Sequence, residues 1–100
     1  MVKHIVIWRL KDSAAGRGKS DNARLIKEKL EALRGRIPGL LHLEVGFDFG
    51  QGENSGDVVL VSEFESRAAL EGYQQHPLHK AVMPFVLEAR SERRVVDYEI

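Results

Sequence analysis

Cysteine is absent from this chain. That absence removes disulfide bridges, thiolate metal sites and cysteine nucleophiles together. Net charge is missing too: 15 lysines and arginines balance 15 aspartates and glutamates, and no basic cluster exceeds Arg93-Arg94. Neither nucleic acid nor an anionic membrane surface is therefore an expected partner. No apolar run approaches the ~20 residues of a membrane span, and Met1 leads into a strand-like segment rather than a signal peptide. The expected location is cytoplasmic. Repeats, low-complexity tracts and linkers are also lacking. The 100 residues are expected to form one domain, 1–100, able to bury roughly 60–70% of its unfolded surface.

What is present is hydrophobic periodicity. Val2, His4, Val6, Trp8 and Leu10 alternate with Lys3, Ile5, Ile7 and Arg9. Apolar residues point both ways, which predicts a central strand. A polar, mobile loop is expected from Lys11 to Lys19. Ser20 is a candidate cap for a helix with a stripe of Ala23, Ile26, Leu30 and Leu33, ended by Gly35 and then Pro38-Gly39. Leu41, Leu43, Val45, Phe47 and Phe49 predict the apolar face of a second strand. His42, Glu44 and Asp48 lie opposite, so this strand belongs at a sheet edge. After the turn-rich Gln51–Gly56, Val58 to Phe64 reads as a third strand, and Arg93 to Glu99 as a fourth. In the fourth, Val96 and Tyr98 share one face and Val95 takes the other.

Between the last two strands lies the segment from Ser66 to Ala89. Ser66 is a candidate cap for a short helix with Leu70 and Tyr73 on one side. Pro77 ends that helix near His76 and suits the first position of a new one. His76 then becomes an N-cap and His79 falls in the first turn, where the helix dipole disfavours imidazolium. Leu78, Val82, Phe85, Val86 and Ala89 form the inward face, and Pro84 is expected to kink or divide the helix.

The order strand-helix-strand-strand-helix-strand predicts an α+β fold: a ferredoxin-like βαββαβ sandwich, with a four-stranded antiparallel sheet covered by helices on one face. Ile5, Ile7, Val59, Val61 and Val95 are expected on the other face. So much apolar surface calls for a second copy, the two sheets packing into a dimeric α/β barrel.

Gly16-Arg17-Gly18-Lys19-Ser20 imitates part of a phosphate-binding loop, but Ser13 stands where that motif needs glycine. His76 and His79 have no carboxylate in a ligand pattern with them, so no metal is expected. His42 belongs with solvated residues. The remaining constellation is His4, Tyr73 and His79, beneath the helices in a pocket lined by Trp8, Leu43, Phe47, Val82 and Phe85. Such a pocket suits a small, mostly apolar carbonyl or phenolic ligand. His79 is the candidate base, Tyr73 the donor to an enolate or carbonyl oxygen, and His4 an orienting group. The alternative is that the three satisfy one another and the backbone, as buried polar groups must.

Val2-Lys3-His4-Ile5-Val6, Leu10-Lys11-Asp12, Ile37-Pro38-Gly39, Phe64-Glu65-Ser66, Tyr73 with His76-Pro77-Leu78-His79, and Asp97-Tyr98 resemble the stress-responsive A/B barrel family, Dabb. The resemblance implies a homodimeric α+β barrel. In a plant polyketide cyclase of that family the catalytic histidine and tyrosine match His79 and Tyr73, and its strand-one pocket histidine matches His4. The histidine before its proline matches His76, which the resemblance places among the ligand-binding candidates. That implies cofactor-independent, aldol-type chemistry of a cyclase or lyase. Other members are heat-stable, stress-induced plant proteins, which implies the alternative of a non-enzymatic stability or assembly role.

Overall fold

Alternation along β1 (Val2–Leu10) becomes burial: Val2, His4, Val6, Trp8 and Leu10 are all buried, while the residues between them are half-buried or exposed. The computed structural model describes residues Met1–Ile100. After β1 comes a small hairpin, β2 (Ser13–Ala14) and β3 (Arg17–Gly18). It replaces the mobile loop expected there. Its turn uses Ala15 and Gly16, both at positive φ, so the glycine of the phosphate-loop imitation serves a tight turn. Helix α1 (Lys19–Glu31) starts ahead of Ser20, capped by Gly18 with no side-chain bond. Asn22 explains the difference. Only 1% exposed, it donates to the carbonyls of Ala14 at 3.1 Å and Arg17 at 3.4 Å. The hairpin is thereby tied to the helix start.

Ile26, Leu30 and Leu33 enter the core as their spacing requires, with Ala23 partly buried against it. The α-helix ends at Glu31, before Gly35; Leu33 and Arg34 bond back to Leu30 and Glu31 in tighter turns. Gly39 has φ +78, and a Cβ there would sit 2.6 Å from the Ala69 Cβ. Only glycine fits that approach to the next helix layer.

Strand β4 (Leu40–Phe47) lies at the edge of the order β4-β5-β1-β6, antiparallel throughout, where β5 is Val58–Phe64 and β6 is Arg90–Glu99. Its apolar face is shorter than expected. The register shifts between Leu40 and His42, leaving Leu41 as an extra residue turned outward, as in a β-bulge. Leu43 and Val45 are buried, whereas Leu41, Phe47 and Phe49 are 51%, 49% and 96% exposed. Strand β5 (Val58–Phe64) is central and places Val58, Leu60, Ser62 and Phe64 in the core.

Helix α2 (Arg67–Gln75) begins where Ser66 accepts a hydrogen bond from the Ala69 N–H at 3.1 Å. Ser66→Ala should therefore lower unfolding stability by about 1 kcal/mol, measurable by denaturant titration. Helix α3 (Pro77–Ala89) follows at once, with Pro77 in its first turn. It is not divided at Pro84, which lies on its exposed side. The interrupted hydrogen-bond ladder thus faces away from the core. The chain passes directly from α3 into β6 (Arg90–Glu99).

Pairing of β6 with β1 reverses one expectation. Val95 pairs with Val6, while Val96 pairs with Ile5 and Tyr98 with Lys3. Directly paired residues share a face, so Val95 belongs to the helix-covered side, and Val96 and Tyr98 join Ile5, Ile7, Val59 and Val61 on the open one. There Ile7, Val96 and Tyr98 are 42%, 59% and 44% exposed.

Candidate functional site

Three elements carry the imidazoles and the phenol beneath the helices. His4 comes from β1, is 3% exposed, and lies opposite Asp97 of β6. Its Nδ1 pairs with the Asp97 carboxylate. That pairing leaves Nε2, the other ring nitrogen, for a second partner. Tyr73 comes from α2 and is 1% exposed. Its ring centroid is 6.2 Å from His4, 5.1 Å from Phe64 and 4.4 Å from His79. His79 comes from the first turn of α3, with Nδ1 buried and without a partner.

These groups border a partly open cavity of about 250 Å³. Trp8 lines it beside His4, and its buried Nε1 also has no partner. Val6, Leu30, Leu60, Met83, Val86 and Leu87 supply apolar wall, and Gln74, Arg90 and Arg93 add polar groups. Of the residues expected at the pocket from patterning or from the family resemblance, His4, Trp8, Tyr73 and His79 come together here. Leu43, Phe47, His76, Val82 and Phe85 are outside the lining. Leu43 and Val82 are core residues, and Phe85 packs against the core with its ring under Lys29. Phe47 sits 5.7 Å from the Lys27 ammonium at the sheet edge. His76 instead caps α3, its Nδ1 accepting from the Leu78 N–H at 3.1 Å.

Asp97, Arg90 and Arg93 were not singled out as site residues from the sequence. The signal for Asp97 was its place on a strand beside His4, but alternation fixes a face only once the register is known.

Burial raises the Tyr73 hydroxyl well above its ordinary pKa, with the nearby Arg93 charge partly opposing. Burial lowers the pKa of His79; the Gln74 backbone carbonyl opposes this, and the charges of His4 and Arg93 reinforce it. Near neutral pH the site therefore holds a neutral imidazole against a protonated phenol. The unfolded chain binds a proton at His79 more readily than the folded one. Its contribution is complete above the ordinary value of 6.5 and is lost as pH falls below that. The stability lost between pH 7.5 and 5.5 should be smaller in His79→Gln, as read by denaturant melts at both pH values.

No group of three or more His, Cys, Asp or Glu side chains is placed to hold a metal ion, and no helix is long and apolar enough to cross a membrane.

Fold and cavity together define a ferredoxin-like α+β protein with an imidazole–phenol cluster under its helices. The family model of the stress responsive A/B barrel domain, Dabb, matches residues 2–100. The chain belongs to the Dabb family. A dimeric protein of unknown function and ferredoxin-like fold from Bacteroides fragilis is 34% identical, with 99% of this chain and 95% of that one covered and a TM-score of 0.87. A dimeric ferredoxin-like protein of unknown function from Thermobifida fusca is 23% identical over 99% of this chain and 90% of that one, with a TM-score of 0.85. A hydroxynitrile lyase from Passiflora edulis shares the fold at 20% identity, 99% and 92% coverage and a TM-score of 0.82. No curated protein matches by sequence.

Proposed function

We propose that this Dabb-domain protein works as a homodimer, joined through the open sheet face, and binds a small carbonyl or phenolic compound between His4, Tyr73 and His79. There it performs acid–base chemistry without a cofactor. His79 takes a proton from carbon next to the carbonyl, the electron pair moves to oxygen as an enolate, and the Tyr73 hydroxyl donates to that oxygen. Asp97 orients His4, whose Nε2 holds the tyrosine hydroxyl or the ligand. The observation that carries this reading is the His79 ring, lowered in basicity by burial, 4.4 Å from the Tyr73 ring at a cavity wall. The fold is compatible with catalysis, since a hydroxynitrile lyase shares it.

Exchange of the methylene protons of acetylacetone into deuterated buffer, followed by NMR, tests the chemistry. Wild-type protein should accelerate exchange, and His79→Ala should remove about 10²–10⁴-fold of that acceleration. Exchange at the buffer rate, or an unchanged rate in the variant, rejects it.

A second reading has its own observation: Tyr73 is 1% exposed and packs on Phe64. On that reading the cluster serves packing in a stress-related stability or assembly protein. A sharp loss of melting temperature in His79→Ala, which removes the ring 4.4 Å from that of Tyr73, with no ligand-induced shift in wild type, favours it.

A further inference from the structure

We infer that the occupant of this cavity carries a carboxylate, held at the mouth by Arg93 and Arg90 while its carbonyl or phenolic oxygen faces Tyr73; this rests on the ligand-pocket reading above.

Charge at the cavity is one-sided. Two arginines line it, and none of its 13 lining residues is an aspartate or glutamate. Neither guanidinium makes an ion pair with any carboxylate of the chain. Both sit on defined backbone. Arg90 is the residue at which α3 passes into β6, its N–H bonded to the Val86 carbonyl. Arg93 pairs with Trp8 across the sheet, so its side chain shares the helix-covered face with the indole. The Arg93 charge reaches both Tyr73 and His79, as a group bridging the mouth and the imidazole–phenol pair must.

The rest of the lining is also rich in donors. Trp8 Nε1–H is buried without an acceptor, and the Tyr73 hydroxyl keeps its proton. An unpaired buried donor is costly, and an acceptor-rich ligand relieves it. Guanidinium forks match carboxylates in both charge and geometry. Size narrows the class. About 250 Å³ falls below the ~300–1,000 Å³ of typical ligand sites, so a single-ring or short-chain acid fits. A hydroxybenzoate or a short oxo acid meets every term.

Salicylate and phenol, which differ by one carboxylate, separate the possibilities in NMR titrations that follow the His79 and Trp8 side-chain resonances. Wild type should bind salicylate on the order of ten-fold or more tighter than phenol. Arg90→Gln/Arg93→Gln should lose that preference while keeping its phenol affinity; both positions reach the cavity mouth, and a melting curve checks the fold. Equal affinity for the two compounds in wild type, or a preference that survives in the variant, overturns the carboxylate inference and leaves the pocket standing. No shift of either resonance with either compound overturns the pocket reading, and this inference with it.

Discussion

Ile5→Glu should yield a folded monomer in place of the homodimer proposed above. Ile5 lies mid-strand on central β1, paired with Val61 on one side and Val96 on the other. Its face also carries Ile7, Val59 and Tyr98, with the Lys3–Glu63 pair at 3.6 Å toward one end. Packing two such faces about a two-fold axis would bury a glutamate from each copy among apolar side chains, with Lys3 of the same face already paired to Glu63. Desolvation and like-charge repulsion then cost several kcal/mol, which raises the dissociation constant by about 10³-fold or more. Sedimentation at micromolar concentration should show the change in mass, with the far-ultraviolet circular dichroism preserved. If the face meets water in the native protein, the same substitution changes stability by no more than about 0.5 kcal/mol and the mass stays that of a monomer. That outcome removes the barrel.

Phe64→Ala should be the most damaging single truncation in the chain, costing about 3–5 kcal/mol. Phe64 is 0% exposed, and its ring lies 5.1 Å from Tyr73 and 6.5 Å from His4. Removing it opens a cavity under the cluster, so stability and the pose of Tyr73 are lost together. Domains of this size are stable by only about 5–15 kcal/mol, and each kcal/mol moves the midpoint by about 4–8 °C. A fall in melting temperature of more than about 10 °C is therefore expected. Phe49→Ala is the control. Sequence patterning places Phe49 on an apolar strand face, but it is 96% exposed, so its loss should change stability by less than about 0.5 kcal/mol. Similar losses for the two variants would contradict this division of the core.

Strands β1 and β5 and the break at His76-Pro77 were legible because each rests on local chemistry. Alternation needs only neighbouring side chains, and proline's missing N–H acts at its own position. The hairpin at Ser13–Gly18 was not legible, since its stability comes from Asn22 reaching back to carbonyls of the preceding loop. Phe47 keeps the face of Leu43 and Val45, paired with Val58, but it is the last residue of an edge strand and stays half exposed. Leu41 was misplaced because a one-residue shift in pairing turns a side chain over, and such shifts leave no mark in composition. The same reason holds for Val95. Its alternation with Val96 is plain, yet which of the two meets the helices depends on pairing with β1.

Patterning expected His4, Tyr73 and His79 in one pocket lined by Trp8, Leu43, Phe47, Val82 and Phe85. The first three and Trp8 meet at the cavity, whereas the other four do not, because periodicity sets a buried face but not which buried residues border a void. By itself the sequence determined the order of the four sheet strands and the helices, the family, and the inward faces of β1, β5 and α1. Tertiary structure decided which distant groups meet: Asp97 against His4, the two arginines in the cavity lining, and the withdrawal of His76 into a helix cap. Those outcomes depend on strand register and on the distance between layers, and both follow from packing the whole chain rather than from any local preference.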